Sequence, residues 1–387
     1  MQILDAAVED KRWPLLRLAF RPLFLLGCLF ALLALGRWLG LLSGQFGWSA
    51  PISPILWHGH EMLFGLVMAI VVGFLLTAVQ NWTGQPGLRG APLAVLVLLW
   101  LAGRLSWWLG LPSAALLLPD LLFIAGAILA MARSVVAVRQ WRNLIFVPVL
   151  TAFAAVHLLM VLSPTLARGA SLAGVWLTVL LIAIVGGRVI PFFTCRRWNF
   201  DKVQESTLEL ALVNLPLVVI ALLALFDLLG HPASRLLLAA TALVQLRRCW
   251  RWWDRRNWGE PLLWSLHLAY LCLPLALLVM AAGDSRQAML AFHLLAIGTV
   301  AGMILAMIAR VSLGHTGRNL KAPGLMPIAF ALILAAAAAR ALLPLLWPQL
   351  TSLGWWLGGG LMMAALALFI AYYAPMLMSA RADGRPG

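Results

Sequence analysis

The sequence predicts an all-α fold, a polytopic membrane helical bundle of about twelve transmembrane helices, and three observations carry that expectation. Of its 387 residues 63% are hydrophobic and 11% charged, with a mean hydropathy of +0.97; a soluble domain would need far more polar surface. Apolar runs of roughly 18–25 residues recur from end to end, each long enough to cross a ~30 Å hydrocarbon core. The runs are rich in Leu, Ala, Val and Gly and lack the weak alternation of barrel strands. In lipid every backbone polar group needs an internal partner, so these runs are helices.

The spans follow in order. The first, near 18–39, comes directly after Lys11, Arg12 and Arg17 and contains Arg21, so no cleavable signal is visible. The second, near 58–80, opens on "WHGHEMLFG". Spans three to six lie near 91–110, 114–133, 143–163 and 170–194. The seventh and eighth lie near 208–227 and 232–249, and "RRCWRWWDRR" follows the eighth. The last four lie near 260–282, 287–311, 324–346 and 353–378. The loops are short, so the expected organisation is a single integral membrane domain over 1–387, with short cytoplasmic termini at 1–17 and 379–387.

The net charge of +15 is explained by topology. Lys and Arg fall mainly before span 1 and after spans 2, 4, 6, 8, 10 and 12, whereas the opposite loops hold only Arg168, Arg235 and Arg286. That is the positive-inside pattern, with both termini cytoplasmic, and it argues for lipid contact and against nucleic acid as a partner. Cys28 and Cys272 sit inside spans, Cys195 and Cys249 at cytoplasmic ends, and no CxxC occurs, so no disulfide is expected. The nineteen tryptophans gather at span ends, as interfacial anchors do.

This topology puts His58, His60 and Glu61 at the outer end of span 2, His293 about two turns below the outer end of span 10, and His157 in the outer half of span 5. His231 falls in an outside loop, His267 within span 9, and His315 in the cytoplasmic "RVSLGHTGRN". His58 and Glu61, three apart, share a helix face, while His60 lies ~200° round from His58. One metal bound by both histidines is therefore not expected from a regular helix. A neutral imidazole is a common ligand of haem iron and copper. His58 and His293 on facing helices would make a bis-histidine haem site. The structural alternatives are a capping His58, a headgroup-level His60 and a dipole-stabilised Glu61. His293 lies in apolar sequence, where a polar group needs a partner. Arg188, Arg310, His315 and Arg318 fall at cytoplasmic span ends. The arginines are expected to neutralise haem propionates or an anionic substrate, or else to serve as inside-positive anchors, and His315 to ligate a second haem or to cap a helix. Arg37, Arg104 and Arg340 are expected to snorkel.

Four stretches carry a family resemblance: "LAFRPLFLLG" (18–27), "WHGHEMLFG" with "GFLLTAVQNWTG" (57–84), "GGRVIPFFT" (186–194) and "FHLLAIGTVAGMILAMIARVSLGHTGR" (292–318). The sequence resembles the NnrS family, bacterial membrane proteins linked to the nitric oxide response and associated with haem and copper. A fainter similarity is to the catalytic subunit of haem–copper oxidases, carried by His58, Gly59, Met62, Phe64, Val67, Met68, Gly73, Phe74, Asn81 and Trp82 and by Phe292, His293 and Gly298. It implies His58 and His293 as axial ligands of haem b. Spans 6 and 7 have no histidine and span 10 has one before the GHTGR loop, so the oxidase copper and high-spin haem ligands are missing. For copper this leaves His60, Glu61 and His157.

The resemblance implies a protein of the bacterial inner membrane acting in nitric oxide metabolism or protection from nitrosative stress, with nitric oxide as ligand or substrate. Three classes compete: a quinol-linked nitric oxide reductase or denitrosylase, a non-enzymatic haem or metal sensor or store, and a twelve-span transporter. Twelve spans alone would suggest the transporter, but no paired repeat or broken-helix pattern is evident.

Overall fold

The computed structural model describes residues 12–48, 52–201 and 203–385. The first eleven residues of the expected cytoplasmic N-terminus and the last two of the C-terminus lie outside them. Among the described residues there are helices and no strands. Twelve long helices follow one another: α1 Phe20–Leu42, α2 Pro54–Thr83, α3 Ala91–Leu109, α4 Ser113–Ala137, α5 Trp141–Leu162, α6 Ala167–Trp198, α7 Thr207–Leu225, α8 Pro232–Trp252, α9 Pro261–Ala282, α10 Ser285–His315, α11 Met326–Leu346 and α12 Thr351–Met378. Eleven are long and apolar enough to cross a membrane. The exception is α8, equally long, whose last turns carry Arg247, Arg248 and Arg251.

The termini of these helices follow local chemistry. Ser53 caps α2, its hydroxyl accepting from Leu56 N at 3.2 Å, and Pro54 supplies the pre-set first residue. Ser206 with Glu209, and Asp284 with Gln287, form reciprocal capping boxes at α7 and α10. His231, expected as a plain loop residue, is the N-cap of α8: its ring accepts from Ala233 N at 3.3 Å. Gly84 ends α2 at φ +68°, a conformation that disfavours any side chain.

The chain falls into two compact units. The first comprises 1–171, 308–320 and 369–387. In it α1 packs on α2, α3 on α4, and α4 on both α2 and α5. The second comprises 172–307 and 321–368. In it α8 packs on α7 and α9, and α9 and α11 pack on the first half of α10. All four cysteines are free thiols.

In the second unit, Arg248 ties helices together. Its Nε and Nη2 donate to the two oxygens of Glu205 at 2.7 and 2.8 Å, and its Nη1 donates to Ala183 O at 2.9 Å and Tyr270 Oη at 2.8 Å. The motif GGR makes room for this: a Cβ on Gly187 would overlap Arg248 Nη2. Gly187→Ala is therefore expected to destabilise the protein by about 1–3 kcal/mol through overpacking. A lowered thermal midpoint in detergent would show it, and Gly230→Ala, whose Cβ meets nothing within 4 Å, serves as the control. His267 belongs to a separate network, with Nε2 3.0 Å from Thr194 Oγ1 and 3.2 Å from Asn257 Nδ2. Asn257 Oδ1 in turn accepts from Trp198 Nε1 at 2.7 Å. His267 thus joins three segments by hydrogen bonds, a structural role.

Candidate metal centre

Among the described residues, three stretches of the long helices have π geometry. Glu61–Val67 in α2, Leu294–Ala301 in α10 and Ala338–Leu342 in α11 are π-helical. Such segments concentrate at functional sites, because one extra residue per turn re-aims side chains. The first starts beside His60, the second immediately after His293, and the third contains Arg340.

In the first unit, four helices converge on His60, which is fully buried. Its Nδ1 lies 3.0 Å from Glu61 Oε1, and its Nε2 lies 3.2 Å from His157 Nδ1 on α5 and 3.6 Å from Asp120 Oδ2 on α4. One ligand atom from each of His60, Asp120 and His157 lies within 4.8 Å of the other two. Arg104 on α3 closes the arrangement: Nη1 donates to Glu61 Oε2 at 2.8 Å, and Nη2 donates to both Asp120 oxygens, at 2.6 Å to Oδ2. All five side chains are at most 3% exposed. Within hydrogen-bond reach, two carboxylates face one guanidinium, and a bound cation would offset the remaining negative charge.

Packing holds the rings in place. His60 stacks on Trp107 with centroids 3.4 Å apart, and on Phe64 at 4.7 Å. Trp107 Nε1 is tied to Leu116 O at 3.3 Å and Trp100 Nε1 to Phe64 O at 3.0 Å. Two glycines allow the close approach. A Cβ on Gly103 would sit 2.7 Å from Asp120 Oδ1, and one on Gly65 would sit 2.6 Å from the Phe30 ring and 3.2 Å from Glu61 Oε2.

The donor chemistry fits a small metal ion. A metal at His60 Nε2 requires the tautomer with the proton on Nδ1, and Glu61 Oε1, 3.0 Å away, is placed to accept from it. This is the carboxylate–histidine–metal relay that fixes a ligand's tautomer. Metal–nitrogen bonds of about 2.0–2.1 Å place tetrahedral ligands roughly 3.3 Å apart, close to the His60–His157 spacing. A porphyrin does not fit between these atoms, so a haem is not held here. Glu61→Gln leaves the ligands in place but weakens the relay; metal affinity is expected to fall about 10–100-fold, read by competition with a chelator.

Several expectations change. Glu61 lies outside the His60, Asp120 and His157 group: Oε2 accepts from Arg104 and Oε1 faces His60 Nδ1. Its backbone is still α-helical, its N–H reaching Trp57 O and His58 O, and its long side chain also reaches the ring of His60 beside it. Asp120 and Arg104 were not anticipated here. Both are charged residues in apolar runs, "LLLPDLLFI" and "LAGRLSW", and the high cost of such charges in lipid was the available signal. Arg104, expected to snorkel, is 3% exposed. Arg37 is also held: it donates to Trp108 O at 3.0 Å and lies over the rings of Trp48, Trp57 and Trp108, at 4.6 to 5.1 Å from their centroids.

The other candidate residues lie elsewhere. His58, in the first unit, stacks on Trp38 at 4.5 Å. His293, in the second, has Nδ1 2.9 Å from Met289 O and Nε2 3.2 Å from Arg340 Nη2. With its Nδ1 proton on a backbone carbonyl, His293 directs the Nε2 lone pair outward, as a haem ligand would; at present that lone pair receives Arg340, which therefore does not snorkel. His315 and Arg318 are in the first unit, where the His315 ring lies 5.5 Å from Phe20 and its carbonyl accepts from Arg381 at 3.1 Å. Arg318 donates to Ser379 Oγ at 3.3 Å. Arg310 is in the same unit, 9% exposed, and Arg188 is in the second.

No curated protein matches this sequence. The family model described as NnrS protein matches residues 14–381, nearly the whole chain, and the protein therefore belongs to the NnrS family.

Proposed function

We infer that this membrane protein is a metalloprotein of nitric oxide metabolism, with a copper ion held by His60, Asp120 and His157. The observation supporting this most is the fully buried His–Asp–His cluster with the Glu61 relay behind it. Membership of a family linked to nitric oxide supports the choice of ligand. Two imidazoles and one carboxylate suit copper, and the same set suits non-haem iron(II), so metal analysis is part of the test.

Bound there, copper would supply a one-electron centre with a vacant coordination position for a small gas. The protein's own contributions are more specific. Glu61 holds the His60 tautomer, and Arg104 fixes the carboxylate of Asp120. Trp107, Phe64 and Trp100 exclude water. Nitric oxide, small and apolar, reaches such a site through lipid without an aqueous channel.

Haem b is the second group in this reading; the family resemblance offers His58 and His293 as candidate iron ligands. The tautomer of His293 supports it, and Arg340 would have to leave Nε2 for iron to bind. The basic helix ends are assigned to the cytoplasm of a bacterial inner membrane. The test is a reduced-minus-oxidised spectrum of the purified protein beside His58→Ala and His293→Ala. A b-type spectrum lost in both is expected; a featureless wild type from haem-replete cells would remove haem from the account.

The Arg104 clamp on Asp120 favours a rigid, enclosed centre, which also suits a non-enzymatic sensor or store. Steady-state consumption of nitric oxide with a quinol donor separates the two, since only a reductase or denitrosylase would turn over.

A further inference from the structure

At the basic end of the α7–α8 hairpin, within the second unit, lies a cavity of about 310 Å³. Its mouth is formed by Glu209, Arg247 and Arg251, with Arg248 and Glu205 behind and Leu212, Val213 and Val244 as an apolar floor. The charges are not matched. Arg247 Nη1 and Arg251 Nη1 both donate to one atom, Glu209 Oε1, each at 2.6 Å. Glu209 Oε2 is already spent on Ser206 N at 2.9 Å, in the capping box. Glu205 is spent on Arg248 through both its oxygens.

Two guanidinium groups therefore share a single carboxylate oxygen, and one positive charge is left over at the mouth. Donors are left over as well. A guanidinium has five N–H groups; Arg247 uses one on Glu209, and Arg251 uses one there and one on Gln204 O at 3.0 Å. Both are accessible, at 64% and 30% exposed. Guanidinium pairs of this kind bind phosphate oxygens in fork geometry.

The floor indicates which phosphate. Leu208, Leu212 and Leu215 on α7 and Leu236 and Leu243 on α8 are exposed apolar residues, the lipid-facing surface of the hairpin. The cavity opens where that surface meets the arginines. Trp250, 85% exposed in the same turns of α8, marks the interfacial level. A free anion would use the mouth and leave the floor dry and empty. A phospholipid uses both.

We propose that this cavity is a binding site for an anionic glycerophospholipid, its phosphodiester on Arg247 and Arg251 and the start of its acyl chains on Leu212, Val213 and Val244. A net-anionic headgroup is preferred because the surplus charge is met without a second cation. The site is separate from the metal centre and predicts that lipid composition affects the stability of the α7–α8 hairpin.

The test uses delipidated full-length protein in detergent, with lipid binding read by native mass spectrometry and thermal midpoint. The probes are phosphatidylglycerol, phosphatidylcholine and inorganic phosphate. Wild type is expected to bind phosphatidylglycerol at least tenfold more tightly than phosphatidylcholine. The R247Q/R251Q variant should lose that preference, and Arg255→Gln, an exposed arginine outside the cavity, should keep it. Val244→Phe fills the floor with the arginines intact, so it should weaken phosphatidylglycerol while leaving any phosphate effect unchanged. Gel filtration of each variant separates lost binding from lost folding. Equal binding of the two lipids by wild type would overturn the proposal, as would phosphate stabilising wild type as much as phosphatidylglycerol, since that would make the cavity a phosphate site.

Discussion

Replacing Arg104 with leucine should destabilise the first unit by about 3–5 kcal/mol, the usual effect of removing one partner from a buried ion pair. Leucine fills much of the volume but none of the charge. Glu61 and Asp120 would then face each other across the space the guanidinium bridged, each fully or almost fully buried. The hydrogen bonds lost are the one from Nη1 to Glu61 and those from Nη2 to Asp120. The measurement is the thermal midpoint of the detergent-purified protein, with yield of monodisperse material as a second readout. Arg104→Lys should recover only part of the loss, because a single ammonium cannot span two carboxylates as the fork does. The triple variant Arg104→Leu, Glu61→Gln and Asp120→Asn should be more stable than Arg104→Leu alone, since it removes the uncompensated charges. A fully stable Arg104→Leu would mean that the network is not formed in the membrane.

The second large effect is expected from His60→Ala. His60 meets Glu61 at Nδ1, His157 and Asp120 at Nε2, and Trp107 by stacking. Removing it takes away the central ligand and leaves Glu61 Oε1 without its histidine partner. Metal content should fall to the level of a blank, while Asp120→Asn, which keeps shape and one oxygen donor, should retain weakened binding. His58→Ala, two residues away but stacked on Trp38, should leave this metal content unchanged. That contrast matters because the two histidines look equivalent in "WHGHE".

Much of the fold was legible because hydropathy and length are local properties. Each of the twelve expected spans corresponds to a long helix, including α8, whose arginine-rich end makes it the least apolar. The site was legible only in part. His60 and His157 were legible as copper candidates, but Arg104 and Asp120 were not read as their partners, although charges are themselves costly in lipid. Arg104 read as a snorkelling side chain on a helix of its own; that it faces Asp120 depends on the α3–α4 pairing, which no periodicity within either helix encodes. The π-helical segments were likewise hidden. An extra residue per turn over Glu61–Val67 changes which way side chains point, while the apolar run remains continuous.

The metal centre is the central claim, and elemental analysis tests it most directly. Protein purified from copper- and iron-replete cells, washed with a weak chelator, should carry one equivalent of tightly held copper per chain, absent from His60→Ala and retained in His58→Ala. Iron in its place, with the same dependence on His60, would keep the site and change the metal. Wild-type protein that is folded, monodisperse and free of any metal above the His60→Ala background would contradict the account, and the buried cluster would then be a purely structural ion network.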